Sequence, residues 1–299
     1  MSLEGLAVPL PTLFGSRGEL DLARNARFAR DLVDARVDHL FVLGSLGEFP
    51  LVTDPERSRL VDLLVESASG RTDVWVGCGA PSTERAVGYA QAAESAGAEA
   101  VVAVPPYYLH PAPASVDRYY REIRAALSVP LLAYNIPEFV GYALDPELVR
   151  GLARDRVLAG IKDTSGALAS VEGILKDAPA GFAVLPGDDA LASDAIALGA
   201  SGAVMGIANL VPKLCVDLVA AAREKNTGRT AELQPLVDSL VEVTRAAPFP
   251  SVIKFLAARL RGAEVGYRAP YDPLTLEEEE RVLARLAPLE EPLRRFLGR

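Results

Sequence analysis

Eight short apolar runs, at 6–13, 39–44, 73–79, 100–105, 130–136, 157–163, 182–187 and 202–208, alternate with helical patterns along this chain. The runs are rich in Val, Leu and Ala and lack polar alternation, the pattern of strands buried on both faces. Such strands need helices packed against them, and the intervening segments supply these. Thr53-Asp54-Pro55-Glu56 has the form of a capping box: the Thr53 hydroxyl caps a free N–H and Glu56 reaches back. Leu60, Leu63 and Leu64 continue it as a helical stripe. Ser82-Thr83-Glu84 opens another helix that runs to Gly97, a suitable stop. Eight strand-and-helix units within residues 1–225 predict a (β/α)8 TIM barrel, an α/β fold. A doubly wound sheet is the alternative, but no Gly-x-Gly-x-x-Gly follows any of the runs.

From residue 226 the strands stop. Helical patterns at 229–246, 250–261 and 276–286 follow one another. The expectation is a catalytic barrel domain at 1–225 and a C-terminal helical segment at 226–299. Thr275 with Glu277–Glu280 reads as a cap and an acidic first turn that complements the helix dipole, in preference to a cation site. The 299 residues suit one large barrel or two ordinary domains.

A net charge of −9 argues against nucleic acid or an anionic membrane as partner. It leaves room for a small anionic substrate, which needs only local donors. The N-terminus lacks a basic stretch followed by an apolar core, so no signal peptide is expected. The longest charge-free stretch, 195–212, contains Gly199, Ser201, Gly202, Gly206 and Asn209, which suit a helix end, loop and strand better than a membrane span. A soluble cytoplasmic protein follows. Cys78 and Cys215 read as buried thiols rather than a disulfide framework, and His39 and His110 have no nearby Cys or His. No metal-ligand spacing is present, and no metal is expected.

Only five lysines occur, and Lys162 alone sits in an apolar strand; Lys176, Lys213, Lys225 and Lys254 fall in helical segments, where a solvated ammonium is ordinary. Burial disfavours a charged amine. The neutral amine is a nucleophile able to form a Schiff base with a carbonyl. The bland alternative is a strand-end lysine that snorkels to water. In a barrel, active sites form at the C-terminal strand ends. Those ends carry Gly44-Ser45-Leu46-Gly47-Glu48, Pro105-Pro106-Tyr107-Tyr108, Tyr134-Asn135-Ile136-Pro137, Lys162-Asp163-Thr164, Gly187-Asp188-Asp189 and Gly206-Ile207-Ala208-Asn209. Tyr134, on the strand before Lys162, is a candidate acid–base phenol, relayed through a hydroxyl such as Ser45. Gly44 and Gly47 let backbone N–H groups approach a carboxylate. Taken singly, Tyr134 reads equally as packing in the barrel mouth, Tyr107-Tyr108 as an interface patch and Ser45 as a turn residue.

Together these motifs, with Gly160-Ile161-Lys162-Asp163, Phe249-Pro250-Ser251-Val252-Ile253-Lys254 and Tyr267-Arg268-Ala269-Pro270, resemble the family of dihydrodipicolinate synthase and N-acetylneuraminate lyase over nearly the whole chain. The resemblance implies a class I aldolase that binds pyruvate on lysine and uses neither a metal nor an organic cofactor. By matched position it implies Lys162 as the Schiff-base lysine, Tyr134 as the acid–base phenol and Ser45 as the relay. It implies Tyr108 as a tyrosine offered across a dimer interface, and Ser45 and Leu46 as the pyruvate carboxylate site. Val204 matches a position whose carbonyl faces the site. Members are commonly tetramers, so a homotetramer built as a dimer of dimers is expected. Gly44, Gly47, Gly187, Asp189 and Phe139 complete the expected substrate-binding set.

The departures from the family pattern are informative. Glu138-Phe139-Val140 stands where the synthases carry Ser-Arg-Thr, and loss of that Arg removes a bidentate carboxylate clamp. Leu46 replaces a Thr. Asp189-Ala190 replaces the acidic pair of the sialic acid lyases, and Gly206 replaces their Ser. Leu40-Phe41-Val42, Val140-Gly141, Gly160-Ile161-Lys162-Asp163-Thr164 and Val265-Gly266-Tyr267-Arg268 look more like the 2-keto-3-deoxygluconate aldolases. The expected activity is reversible cleavage of a 2-keto-3-deoxy sugar acid to pyruvate and an aldehyde, with Phe139, Val140, Asp189 and Leu109 at the rim setting the aldehyde. The alternatives are dihydrodipicolinate synthase itself (pyruvate plus aspartate semialdehyde), a keto-deoxy sugar acid dehydratase and a non-catalytic pyruvate-binding homologue.

Overall fold

In a computed structural model that describes residues 2–297, the eight runs become eight parallel strands: β1 (Gly5–Pro9), β2 (His39–Val42), β3 (Asp73–Gly77), β4 (Ala100–Ala103), β5 (Leu131–Asn135), β6 (Gly160–Asp163), β7 (Ala183–Pro186) and β8 (Gly202–Val204). Their ladder runs β7-β6-β5-β4-β3-β2-β1-β8. The Ser201 N–H donates to the Val184 carbonyl at 2.9 Å, bringing the two ends of that order together as a barrel. Around it lie α1 (Leu22–Asp34), α2 (Asp54–Ala68), α3 (Thr83–Ser95), α4 (Pro113–Ala125), α5 (Pro137–Val140), α6 (Pro146–Arg154), α7 (Leu168–Leu175), α8 (Ala192–Ala197) and α9 (Pro212–Arg223). The tail adds α10 (Thr227–Thr244), α11 (Ser251–Arg261), α12 (Leu276–Leu286) and α13 (Glu290–Leu293).

The side-chain period of two sorts each strand into an inner and an outer set. Ala7, Phe41, Trp75, Val102, Leu132, Leu185 and Val204 form a cluster inside the barrel. Leu6, Val8, Leu40, Val74, Val101, Leu131, Ile161 and Val184 belong to the shell under the helices. Two strand contacts are close enough to demand glycine. A Cβ on Gly202 would lie 1.9 Å from the Gly5 carbonyl oxygen, and one on Gly160 would lie 2.7 Å from that of Ala183.

Every strand is shorter than its apolar run, and the three that lose most stop or start for a local reason. β1 ends at Pro9, and Pro9 and Pro11 have no N–H for a ladder. β6 starts at Gly160 because the N–H groups of Val157 and Leu158 turn back to the Leu152 carbonyl at the end of α6. β8 stops at Val204 because the N–H groups of Gly206 and Ile207 bond the Asp189 carboxylate, which folds 206–209 into a 3-10 turn. The short helix α5 was not expected. The tail helices share the shell core: Leu233, Val237 and Leu240 of α10 are fully buried in the same cluster as Leu214 and Leu218 of α9. Among the described residues, no helix is long and apolar enough to cross a membrane.

Candidate active site

Ladder register puts Tyr134 of β5 beside Lys162 of β6. Both fall on the inward set at the C-terminal strand ends, and both are buried. The Lys162 Nζ lies 3.9 Å from the Tyr134 ring centroid and 5.3 Å from that of Phe41. Among the described residues it has no hydrogen-bonding or ion-pairing partner. Its neighbour Asp163 is not a counterion. Alternation turns Asp163 to the other face, where it accepts from Asn135 Nδ2 at 2.8 Å and from the Ser165 N–H at 3.1 Å. Asn135 in turn accepts the Leu144 N–H, so this pair stitches β5, β6 and the loop after α5 together. Gly187 makes room for the lysine: a Cβ there would lie 2.7 Å from Lys162 Cε and 2.1 Å from the Thr164 hydroxyl.

The loop after β2 brings Ser45 to the same place. Leu43 and Glu48 both adopt positive φ, 58° and 50°, which coils the loop tightly. Ser45 Oγ then stands 3.4 Å from the Tyr134 hydroxyl, at the long limit of a hydrogen bond. Behind it, Thr12 donates to the Gly47 carbonyl at 2.6 Å. Glu48 forms an ion pair with Lys254 of α11 at 2.5 Å, with both side chains essentially inaccessible.

Lys254 corrects one expectation. It lies in a helix, yet it is more enclosed than Lys162: 0 % exposed against 6 %. Its ammonium also donates to the Gly266 carbonyl at 3.0 Å and lies 4.9 Å from the Phe14 ring centroid. Burial pushes the Lys254 pKa down and the Glu48 pKa up, and each charge opposes the other's shift. Partners, then, distinguish the two amines better than burial does: Lys254 is locked in bonds, whereas Lys162 opens onto a cavity.

That cavity, of about 430 Å³, is lined by Ser45, Leu46, Tyr134, Phe139, Lys162, Gly187, Asp189 and Val204, eight of the residues expected at the site. Gly44 lines a small adjoining recess with Phe41 and Tyr134. Gly47 is buried behind the loop. Tyr108 is 89 % exposed, with φ of 73°, and does not line the cavity of its own chain. Leu109 is likewise exposed away from it. Burial raises the Asp189 pKa to about 6, against the opposing bonds from Ile207 and Gly206 and the nearby Lys162 charge. The cavity wall also includes Thr164 and Asp188, which the strand-end motifs contained without a role, and Ser165, Val241, Thr244, Phe249 and Ile253, which sequence reasoning did not assign to the site. Thr164 Oγ1 is buried without a hydrogen-bonding partner. Phe249 carried a signal, since it opens one of the tail motifs, but nothing in the sequence says that the motif folds over the barrel mouth. Among the described residues no three His, Cys, Asp or Glu side chains gather as a metal-binding group, and Cys78 and Cys215 are free and buried.

Comparison with known proteins adds to this geometry. The dihydrodipicolinate synthetase family model matches residues 2–288. The 4-hydroxy-tetrahydrodipicolinate synthase of Salinibacter ruber is 34% identical over 279 residues, covering 92% of this chain and 91% of that protein. A probable 2-dehydro-3-deoxy-D-pentonate aldolase of Escherichia coli K12 is 35% identical over 256 residues, covering 84% and 85%. A prophage protein of the dihydrodipicolinic acid synthase family from Escherichia coli K12, solved in complex with pyruvate, superposes with a TM-score of 0.92 at 29% identity, over 96% of this chain and 99% of that one.

Proposed function

Because this chain belongs to the dihydrodipicolinate synthetase family and is a carbon–carbon lyase, we propose that it reversibly cleaves a 2-keto-3-deoxy sugar acid to pyruvate and an aldehyde through a Schiff base on Lys162. The carrying observation is an amine with no polar partner among the described residues, set against the Tyr134 ring on the wall of a cavity. The likeness to a pentonate aldolase supports the choice of substrate.

In this reading the neutral Lys162 amine adds to the C2 carbonyl. Tyr134 passes a proton to the carbinolamine oxygen, and water leaves. The resulting iminium is the electron sink. The Tyr134 phenolate takes the C4-hydroxyl proton as the C3–C4 bond breaks, and the aldehyde departs. The bond electrons form an enamine, which is protonated at C3 and hydrolysed to pyruvate and free lysine. Ser45 relays protons to Tyr134, and the amides around Ser45 and Leu46 hold the carboxylate. Tyr108, absent from its own cavity wall, is read as serving a neighbouring chain in a homotetramer.

A second reading has a specific observation behind it. The Salinibacter relative is named as a synthase, and condensation of pyruvate with aspartate semialdehyde begins on the same lysine. Phe139 at the mouth weighs against it, since a phenyl ring offers a carboxylate no hydrogen bond.

The test is mass analysis after borohydride reduction with pyruvate. The parent is expected to gain one reduced pyruvate adduct, and Lys162→Ala none. An unmodified parent overturns the reading. Product analysis with keto-deoxy acids then separates an aldolase from a dehydratase.

A further inference from the structure

Phe139 and Phe249 come from opposite halves of the chain, one from α5 and the other from the turn before α11. Their ring centroids are 6.0 Å apart with planes inclined by 34°, and both rings line the cavity. Neither is buried: Phe139 is 51 % exposed and Phe249 45 %. Two large rings left half in water at a cavity mouth form an apolar patch that asks for an occupant. The charge around them is one-sided. Among the described residues Lys162 is the single cationic side chain on the cavity wall, against the carboxylates of Glu138, Asp188 and Asp189. In the Schiff-base reading the positive charge of Lys162 is used by the reaction itself. The rest of the polar wall then holds carboxylates and hydroxyls such as Ser165 and Thr244, beside the two rings.

We propose that Phe139 and Phe249 form an aromatic clamp that selects an uncharged aldehyde, bearing neither phosphate nor carboxylate. The C–H face of the aldehyde lies against the rings, and its hydroxyls turn toward Ser165, Thr244 and Asp188. A phosphate or carboxylate held between the rings would gain no cation and face like charges, a combination that discriminates against it. This deepens the function proposed above and rests on it.

The experiment measures kcat/KM for condensation of pyruvate with D-glyceraldehyde, D-glyceraldehyde 3-phosphate and succinic semialdehyde, in the parent and in Phe139→Arg and Phe249→Ala. The parent is expected to favour the neutral aldehyde by roughly tenfold or more, the scale set by repulsion in a confined site. Phe139→Arg, which places a guanidinium at an exposed position, is expected to narrow that ratio. Phe249→Ala is expected to raise KM for glyceraldehyde while pyruvate trapping by borohydride stays intact. A parent that uses a charged aldehyde equally well or better overturns the proposal. So does a parent that traps pyruvate yet turns over no glyceraldehyde. Absence of trapping in the parent instead removes the lysine chemistry beneath it, so the two failures are distinguishable.

Discussion

Two buried lysines in one fold show how partners, rather than burial, fix what an amine can do. Lys254 faces Glu48 in a place with almost no solvent access, and neither charge is tolerable there without the other. Glu48→Gln or Lys254→Met is therefore expected to destabilise the protein by about 3–5 kcal/mol. The double variant should recover part of that loss, as measured by urea unfolding of all three. Single variants within about 1 kcal/mol of the parent, inside the range of surface pairs, would show that water reaches the pair. Lys162 was legible from sequence because the five residues before it, 157–161, are Val, Leu, Ala, Gly and Ile. Lys254 was not, because its companion charge lies in a distant loop and helical periodicity does not reveal which charged residue meets another. The role of Gly187 was hidden for a similar reason: only the folded contact with Lys162 Cε shows why a side chain is excluded there.

At the level of elements, the capping box at the head of α2 is present and carries a second duty. Glu56 accepts the Thr53 N–H at 3.0 Å, and the Thr53 hydroxyl donates to the same carboxylate at 2.8 Å. Arg268 of the tail then grips both oxygens of Glu56, at 2.8 and 2.5 Å. The guanidinium, reinforced by the Thr53 bonds, lowers the Glu56 pKa from 4.5 to about 2. A depressed folded pKa stabilises the fold above the unfolded value and stops doing so as pH falls through the folded value. Stability is therefore expected to drop between about pH 4.5 and pH 2. Glu56→Gln should flatten the dependence of the melting temperature on pH in that window, and an unchanged slope would remove Glu56 from the account. The cap could be read from four residues; the arginine that shares it could not, because it comes from the far end of the chain. Strand positions were legible because runs buried on both faces are unambiguous, whereas strand ends were not. Pro9, the Asp189 carboxylate and the end of α6 each stop a ladder for reasons outside the hydrophobic pattern.

Over the whole molecule, the boundary expected at residue 225 falls between two helices, α9 and α10, that share one core. Leu233, Val237, Leu240 and Val243 of α10 bury fully against the barrel shell. At about 1.5–3 kcal/mol for each large apolar side chain, these four amount to about 6–12 kcal/mol. That equals the whole net stability of an ordinary protein, about 5–15 kcal/mol. A chain ending at residue 225 is thus expected to lose its cooperative thermal transition by circular dichroism and to aggregate on size exclusion. A folded, monodisperse fragment would show that the barrel stands alone. The sequence announced the tail helices but not the wall they build, since Val241, Thr244, Phe249 and Ile253 meet the cavity only after the chain has closed around the barrel. The amine and the phenol are held in one strand ladder, where a slip of a single residue would turn both away from the interior. The two rings at the mouth hang instead from a short helix and a turn, which accept substitution far more readily. Descendants of such a chain are free to exchange one acceptor for another at positions 139 and 249, while the apparatus that makes and breaks the bond stays as it is.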